Sequence, residues 1–198
     1  SKEIIAAAKA TGAQAIHPGY GFLSENAKFS RDVLKEGLIW VGPNSRVITS
    51  MGDKLKAKVL AEKAGVPTLP MTTDPKKASS IGFPILIKAA AGGGGKGMRI
   101  VETKKDLKES ILSAQREALS GFGDDRVFLE RYVGSSRHIE IQILGDSHGN
   151  IVHLGERECS IQRRHQKIIE ESPSPRVDSE MRKVMGEAAV NLAKKLEY

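Results

Sequence analysis

Ile85-Leu86-Ile87-Lys88-Ala89-Ala90-Ala91-Gly92-Gly93-Gly94-Gly95-Lys96-Gly97-Met98-Arg99-Ile100-Val101 is the stretch on which the fold turns. Apolar, β-branched runs on either side of a glycine-rich turn predict a strand, loop, strand hairpin. Five of the six positions from 92 to 97 are glycine. Each glycine in ordered structure costs about 0.5 to 1 kcal/mol against alanine, roughly 2.5 to 5 kcal/mol for the run. A bound phosphate would offset this, because backbone N–H groups without side chains can approach its oxygens closely. One lysine charge ~4 Å from one phosphate charge, at an effective dielectric near 20, contributes ~4 kcal/mol. Lys88 interrupts the buried run, where an unpaired ammonium is unfavourable, and is the first candidate for that charge.

Other glycine loops fit less well. In the Walker pattern the lysine precedes Ser or Thr, whereas Lys96 precedes Gly97 and Ala90 stands where the first glycine belongs. Gly92, Gly94 and Gly97 have dinucleotide-fingerprint spacing, but that motif opens a helix and Met98 to Val101 reads as a strand. A kinase glycine loop would be followed by His-Arg-Asp and Asp-Phe-Gly, and neither occurs. A plain linker would not sit between two such apolar strands.

Working outward, Lys2 to Ala10 is an Ala-rich helix, Ala13 to Ile16 a short buried strand, and His17-Pro18-Gly19-Tyr20-Gly21 a turn. Ser24 is positioned to cap a helix ending near Glu36, and Leu38 to Val41 forms another strand. This is the α/β alternation of a parallel sheet. Ser45 to Met51 and Asp53 to Ala64 read as helices, with Asp53 as N-cap and Gly65 as stop. Pro67, Pro70 and Pro75 mark a linker. Beyond the hairpin come a helix from Lys104 to Ser120, strands at Val127 to Tyr132, His138 to Leu144 and Ile151 to Glu158, and a helix from Ser179 to Leu196. The fold class is therefore α/β followed by α+β, and an opening helix without a strand before it reads as a piece of a larger sheet.

A chain of 198 residues can bury roughly 70% of its unfolded surface, enough for a packed core. No apolar run approaches the ~20 residues that span a bilayer, so no membrane insertion is expected. The net charge of +7 favours an anionic partner without choosing one. Aromatic residues are 5% of the chain and do not interleave with the basic run Arg163-Arg164-His165-Gln166-Lys167, so nucleic acid is not the expected partner. Cys159 is the single cysteine, which excludes an internal disulfide and suits a reducing compartment. Zinc is not expected, since His148 and His153 lack a zincin motif and Cys159 lacks a partner cysteine.

Five segments, in this order along the chain, resemble the biotin carboxylases of the ATP-grasp superfamily. They are His17-Pro18-Gly19-Tyr20-Gly21-Phe22-Leu23-Ser24-Glu25-Asn26, Met51-Gly52-Asp53-Lys54, the glycine run, Arg137-His138-Ile139-Glu140-Ile141-Gln142, and Glu156-Arg157-Glu158-Cys159-Ser160-Ile161-Gln162-Arg163-Arg164-His165-Gln166-Lys167. Ser120 to Arg126 and Glu158-Cys159-Ser160 look closest to the propionyl-CoA and related acyl-CoA carboxylases. The resemblance implies an ATP-grasp fold: residues 1–41 closing an N-terminal α/β domain, 42–68 a helical connector, 69–132 a lid, and 133–198 the start of the central subdomain.

It also implies roles. Lys54 and Lys88 would bind ATP phosphates, covered by the N–H groups of Gly94 and Gly95. Glu130 to Val133 would hold the adenine and ribose, Glu130 by its carboxylate and Arg131, Tyr132 and Val133 largely through the backbone, and His138 would face the nucleotide. Gln162, His165 and Lys167 would line the phosphate and bicarbonate site, Lys167 as the bicarbonate ligand and His165 also against the nucleotide. Tyr20 and Gly21 would lie near biotin. On the family pattern, the reaction is ATP-dependent carboxylation of carrier-bound biotin through carboxyphosphate, with Mg²⁺ or Mn²⁺, a biotin carboxyl carrier and a carboxyltransferase as partners. A homo-oligomer in the cytoplasm, or in the mitochondrial matrix of a eukaryote, is expected. Another ATP-grasp ligase of carbamoyl-phosphate type, or a noncatalytic nucleotide-binding module, is the alternative.

The family's metal ligands lie on strands beyond the equivalent of Tyr198, so no metal ligand is expected in these residues. The 198-residue chain alone is accordingly expected to lack turnover, and an assay of bicarbonate-stimulated ATP hydrolysis by the isolated chain checks this, with measurable stimulation as the contrary result.

Overall fold

The computed structural model describes residues 1–92, 95, 97–163 and 166–198. The opening residues form α1 (Lys2–Ala10), β1 (Ala15–Ile16), α2 (Ala27–Lys35) and β2 (Ile39–Trp40). The two strands pair in parallel, Ala15 opposite Ile39 and Ile16 opposite Trp40. Their core gathers Ile5, Ile16, Phe29, Val33, Trp40 and Ile48. The Phe29 and Trp40 rings meet edge to face with centroids 5.5 Å apart, a favoured quadrupole arrangement. Asn26, not Ser24, caps α2: its side-chain oxygen accepts from the Phe29 N–H at 3.0 Å. Ser24 instead donates to Gly21 O at 2.7 Å and closes a 3-10 turn over Phe22–Glu25, so the expected helix starts later.

Two helices follow, α3 (Ser45–Gly52) and α4 (Lys54–Lys63). Asp53 caps α4 as expected, one oxygen accepting from the N–H groups of Leu55 and Lys56 at 3.0 and 3.1 Å. Its other oxygen accepts from Arg126 at 3.0 Å.

The central portion is a four-stranded antiparallel sheet in the order β3, β6, β4, β5, made of β3 (Met71–Thr72), β4 (Ile85–Ala89), β5 (Arg99–Val101) and β6 (Val127–Arg131). The hairpin read from the glycine run is the β4–β5 pair, Ile85 opposite Val101 and Ile87 opposite Arg99. Alternation works as period-2 geometry requires: Ile85, Ile87 and Ala89 are buried, under α5 (Ala78–Ile81) and α6 (Leu107–Phe122), while Leu86 and Lys88 point to the other face. β3 lies in the proline-rich linker and was not legible there; it pairs Met71 with Glu130.

The last sheet runs β7 (Ile139–Gly145), β8 (Ile151–Arg163) and β9 (Gln166–Glu171), covered on one side by α7 (Ser179–Leu196). β8 extends five residues past the expected end at Glu158, so that Arg163 of the basic run ends it and Gln166 and Lys167 begin β9. Gly186 of α7 is required by packing, because a Cβ there would lie 2.4 Å from the His153 ring. Among the described residues no helix is long and apolar enough to cross a membrane.

Two buried carboxylates fasten this unit. Glu156 accepts from Arg182 of α7 at 2.7 Å on each oxygen and from the Ser174 N–H at 3.1 Å. Glu158 accepts from Ser174 Oγ and Arg137, both at 2.5 Å. The Arg182 hydrogen bonds, against the opposing effect of burial, lower the Glu156 carboxyl to about 2. A pKa depressed on folding gives stability that is complete above the ordinary 4.5 and is lost as the pH falls toward about 2. Removing one partner of a buried pair costs about 3 to 5 kcal/mol. Arg182→Met is therefore expected to lower the urea unfolding free energy by about 3 kcal/mol at neutral pH, with the deficit shrinking between pH 4.5 and about 2; an equal deficit at every pH would contradict the assignment.

Candidate functional site

Four charged side chains meet where α4 crosses the four-stranded sheet. Lys88 on β4 and Glu130 on β6 sit on adjacent strands, two residues apart across the ladder, because Leu86 pairs with Glu130 and Lys88 with Phe128. Lys88 Nζ donates to Glu130 Oε2 at 2.5 Å, and Lys58 of α4 donates to Oε1. Burial pushes the Glu130 carboxyl upward, but hydrogen bonds and charge from Lys58 and Lys88 outweigh it and hold the group below the ordinary carboxylate range. Lys54, one turn before Lys58, turns its ammonium onto the backbone at the end of β4, donating to Ala89 O at 3.2 Å, Ala91 O at 3.5 Å and Gly92 O. Its pKa is lowered, first by burial and then by the charge of Lys88. Two ammonium groups thus lie near each other at the base of a glycine loop, an arrangement whose mutual repulsion a polyphosphate would relieve.

The loop itself corrects part of the reasoning about glycine. Gly92 has φ +74° and a Cβ there would lie 2.1 Å from the Phe122 ring; Gly97 has φ +72° and a Cβ there would meet Ala89 at 3.1 Å. These two glycines are demanded by backbone and packing at the loop's base, with or without a ligand. Gly95 also has positive φ. Gly94, expected to cover phosphate, lies outside the described residues, as does His165.

A second group gathers on the β7–β8–β9 sheet. His138 precedes β7, and Gln162 on β8 donates its amide to His138 Nδ1 at 2.6 Å and to Cys159 O at 2.8 Å. Gln162 is also the ladder partner of Lys167 on β9. Lys167 donates to Glu140, and so does Arg157. The hydrogen bond that Lys167 donates to Glu140 raises the Lys167 pKa, which keeps the ammonium charged. Burial raises the Glu140 carboxyl, and Lys167 with Arg157 outweighs that and lowers it. Arg157 further donates to Gln142 at 2.7 Å and pairs with Glu170 at 3.2 Å.

Glu140, Gln142, Arg157, Lys167 and Glu170 of this sheet line a cleft of about 1390 Å³ together with the His17 to Gly21 turn, Val41, Gly42 and Pro43. Tyr20 stands in that turn, 94% exposed. The expected biotin residues Tyr20 and Gly21 and the expected bicarbonate ligand Lys167 therefore share one cavity, although Gly21 and Lys167 are 146 positions apart in sequence. Lys54 and Gly92 border a different, more apolar cavity of about 810 Å³.

The segment expected to receive adenine is partly engaged already. Arg131 N–H donates to Pro70 O at 3.0 Å and Tyr132 N–H to Pro84 O at 3.2 Å, and Val133 beyond them is exposed. The Arg131 side chain is structural, donating to Ile81 O at 3.0 Å to close α5. Glu140, Arg157 and Lys58 were missed from sequence. The first two sit inside quoted motifs, where alternation along β7 and β8 was the available signal; Lys58 lies in a lysine-rich helix that suggested plain solvation.

Glu140, Cys159 and Glu170 can each bring a ligand atom within 4.8 Å of the others. Both carboxylates are already matched by Arg157 and Lys167, and burial raises the Cys159 thiol. The set does not fit Mg²⁺ or Mn²⁺, which take open oxygen donors, and no chemistry is assigned to a metal at these residues.

Residues 1–48 match the family described as biotin carboxylase, N-terminal domain, and residues 53–198 match carbamoyl-phosphate synthase L chain, ATP binding domain. The methylcrotonoyl-CoA carboxylase subunit alpha of Dictyostelium discoideum is 54% identical over 99% of the chain, which covers 29% of that protein. A biotin carboxylase complex with "beta-gamma-ATP" from Campylobacter jejuni superposes with TM-score 0.93 at 47% identity, over 100% of this chain and 46% of that one. The biotin carboxylase domain of a 2-oxoglutarate carboxylase from Hydrogenobacter thermophilus, a dimer in complex with MgADP, ADP and bicarbonate, gives 0.92 at 44% identity, with 100% and 45% covered. The chain spans less than half the length of each of these relatives. It belongs to the carbamoyl-phosphate synthase L chain ATP-binding family, the ATP-grasp proteins, in its biotin carboxylase form, with the biotin carboxylase N-terminal domain at residues 1–48.

Proposed function

We propose that the chain is the nucleotide- and bicarbonate-binding part of an ATP-dependent biotin carboxylase within a biotin-dependent carboxylase. The observation that carries this reading is the single cleft lined both by Lys167, matched to Glu140 and in register with Gln162, and by the Tyr20–Gly21 turn. A cation and a flat aromatic in one cleft suit an anionic small substrate beside a planar ring. The solved relatives bound to a nucleotide or to bicarbonate support the same chemistry.

A bicarbonate oxygen attacks the γ-phosphorus of ATP, the bond to the β-phosphate oxygen breaks, and ADP leaves with carboxyphosphate formed. The carboxyl group then passes to a ureido nitrogen of carrier-bound biotin, which gives up its proton, and phosphate is released. In this scheme Lys54 and Lys88 neutralise the polyphosphate, Gly95 with Gly94 covers it, and Glu130 and the Arg131 to Val133 backbone hold ribose and adenine. Lys167 holds bicarbonate, while Gln162, His138 and His165 complete the polar wall around the transferring group. Charge that gathers on the phosphoryl oxygens is met by positioned cations and donors, the main source of rate in such transfers. A metal ion would neutralise phosphate charge, Mg²⁺ or Mn²⁺ being the ion proposed, on ligands other than those described here. The carrier, a carboxyltransferase and a homo-oligomeric state are part of the same proposal.

Two substitutions in the full-length carboxylase separate the roles. Lys88→Ala is expected to weaken ATP binding at least about tenfold, ~1.4 kcal/mol, by equilibrium titration; unchanged affinity would remove Lys88 from the site. Lys167→Gln is expected to retain ATP binding but to abolish the rise of ATP hydrolysis with bicarbonate, and an intact bicarbonate response would overturn that role.

A further inference from the structure

Lys58 has no place in the scheme above, yet it is the less exposed of the two lysines that meet at Glu130. Its side chain is 10% exposed, against 9% for Glu130 and 28% for Lys88. A lysine is seldom withdrawn from water to this degree unless its ammonium is paired. Here the pairing is divided between oxygens, Lys58 on Oε1 and Lys88 on Oε2. The two lysines also differ in origin: Lys88 belongs to the same sheet as Glu130, whereas Lys58 comes from α4, one turn beyond Lys54 on the same helix face.

Phosphate binding by Lys88 requires its ammonium to turn away from Glu130 or to be shared with the ligand. Glu130 would then be a nearly buried carboxylate with one of its two charged partners withdrawn. Such a group either protonates or moves toward water, and in neither case does it present an ionised acceptor in a fixed place. Lys58 removes that difficulty, because it neutralises the carboxylate from the side away from Lys88.

We infer that Lys58 is a positioning residue, which holds the Glu130 carboxylate ionised and oriented toward the nucleoside while Lys88 is given over to phosphate. This inference rests on the nucleotide reading of Lys88 and Glu130. Lys58 does not contact the phosphates, so its effect falls on ligands that carry a ribose and base and spares those that carry phosphates alone.

The test compares ATP with inorganic tripolyphosphate, each titrated into full-length wild-type protein and into Lys58→Met and Lys58→Arg variants, with urea midpoints recorded for all. Lys58→Met is expected to weaken ATP about tenfold, the order of one charged hydrogen bond, and to leave tripolyphosphate unchanged, while Lys58→Arg recovers most of the ATP affinity. Should Lys58→Met fail to fold, Lys58→Gln, which keeps a donor without the charge, takes its place with the same expectation. Unaltered ATP affinity overturns the inference and leaves the nucleotide site standing. Equal weakening of both ligands also overturns it, making Lys58 a clamp for the whole site. Failure of wild-type protein to bind ATP at all overturns both the nucleotide site and the inference built on it.

Discussion

A carboxylate withdrawn from water has to be neutralised where it stands, and at Glu130 this requirement joins three parts of the molecule. Its strand, β6, lies in the sheet between β3 and β4; one neutralising lysine comes from β4 and the other from α4. The register of β4 against β6 puts Lys88 within reach, and the Asp53 cap sets where α4 begins, hence which face its lysines present. The Asp53–Arg126 contact and the Lys54 N–H bond to Ala90 O at 3.0 Å fasten the same helix end to the sheet. Displacing any of these would leave a charge in the interior without its partner, which is among the more costly changes a fold can suffer.

The same device recurs around the cleft. Glu140 is matched by Lys167 and Arg157, Glu156 by Arg182, and Glu158 by Arg137 and two serines. Alternation along β8 sorts these roles: Glu156 and Glu158 face inward to hold the Ser172 to Val177 segment and α7, while Arg157 turns to the cleft. One strand therefore carries structural carboxylates on one face and a cation that borders the cleft on the other. The side that anchors α7 and the side that opens to ligand cannot shift independently, since a slip of one residue would exchange them.

The local grammar of the chain was largely readable. Caps, stops and periodicity located α1, α4 and α7 and the β4–β5 hairpin because each depends on neighbours a few residues apart. Ser24 misled because a hydroxyl followed by helix-forming residues is a valid cap, and only the 3-10 turn at Phe22–Glu25 diverts it. β3 and β9 were hidden for another reason. Two residues beside Pro70, and six in which charge dominates, have no strand signature of their own; partner strands make them strands by supplying hydrogen bonds. Gly92 reads in sequence as a loop residue adapted to phosphate, but the Phe122 ring already excludes any side chain there.

By itself the sequence determined that a strand pair carries a lysine into a glycine loop, that helices cap at Asp53 and end at Leu196, and that five motifs stand in biotin carboxylase order. Those properties are local, or are patterns that survive without coordinates. Tertiary structure alone decided that Lys58 rather than solvent meets Glu130, that Arg157 and Lys167 share Glu140, and that Tyr20 and Lys167 line one cleft. The physical reason is that electrostatic pairing acts over a few ångströms of space irrespective of chain distance, so which charge answers which is fixed only when the sheets and helices have closed.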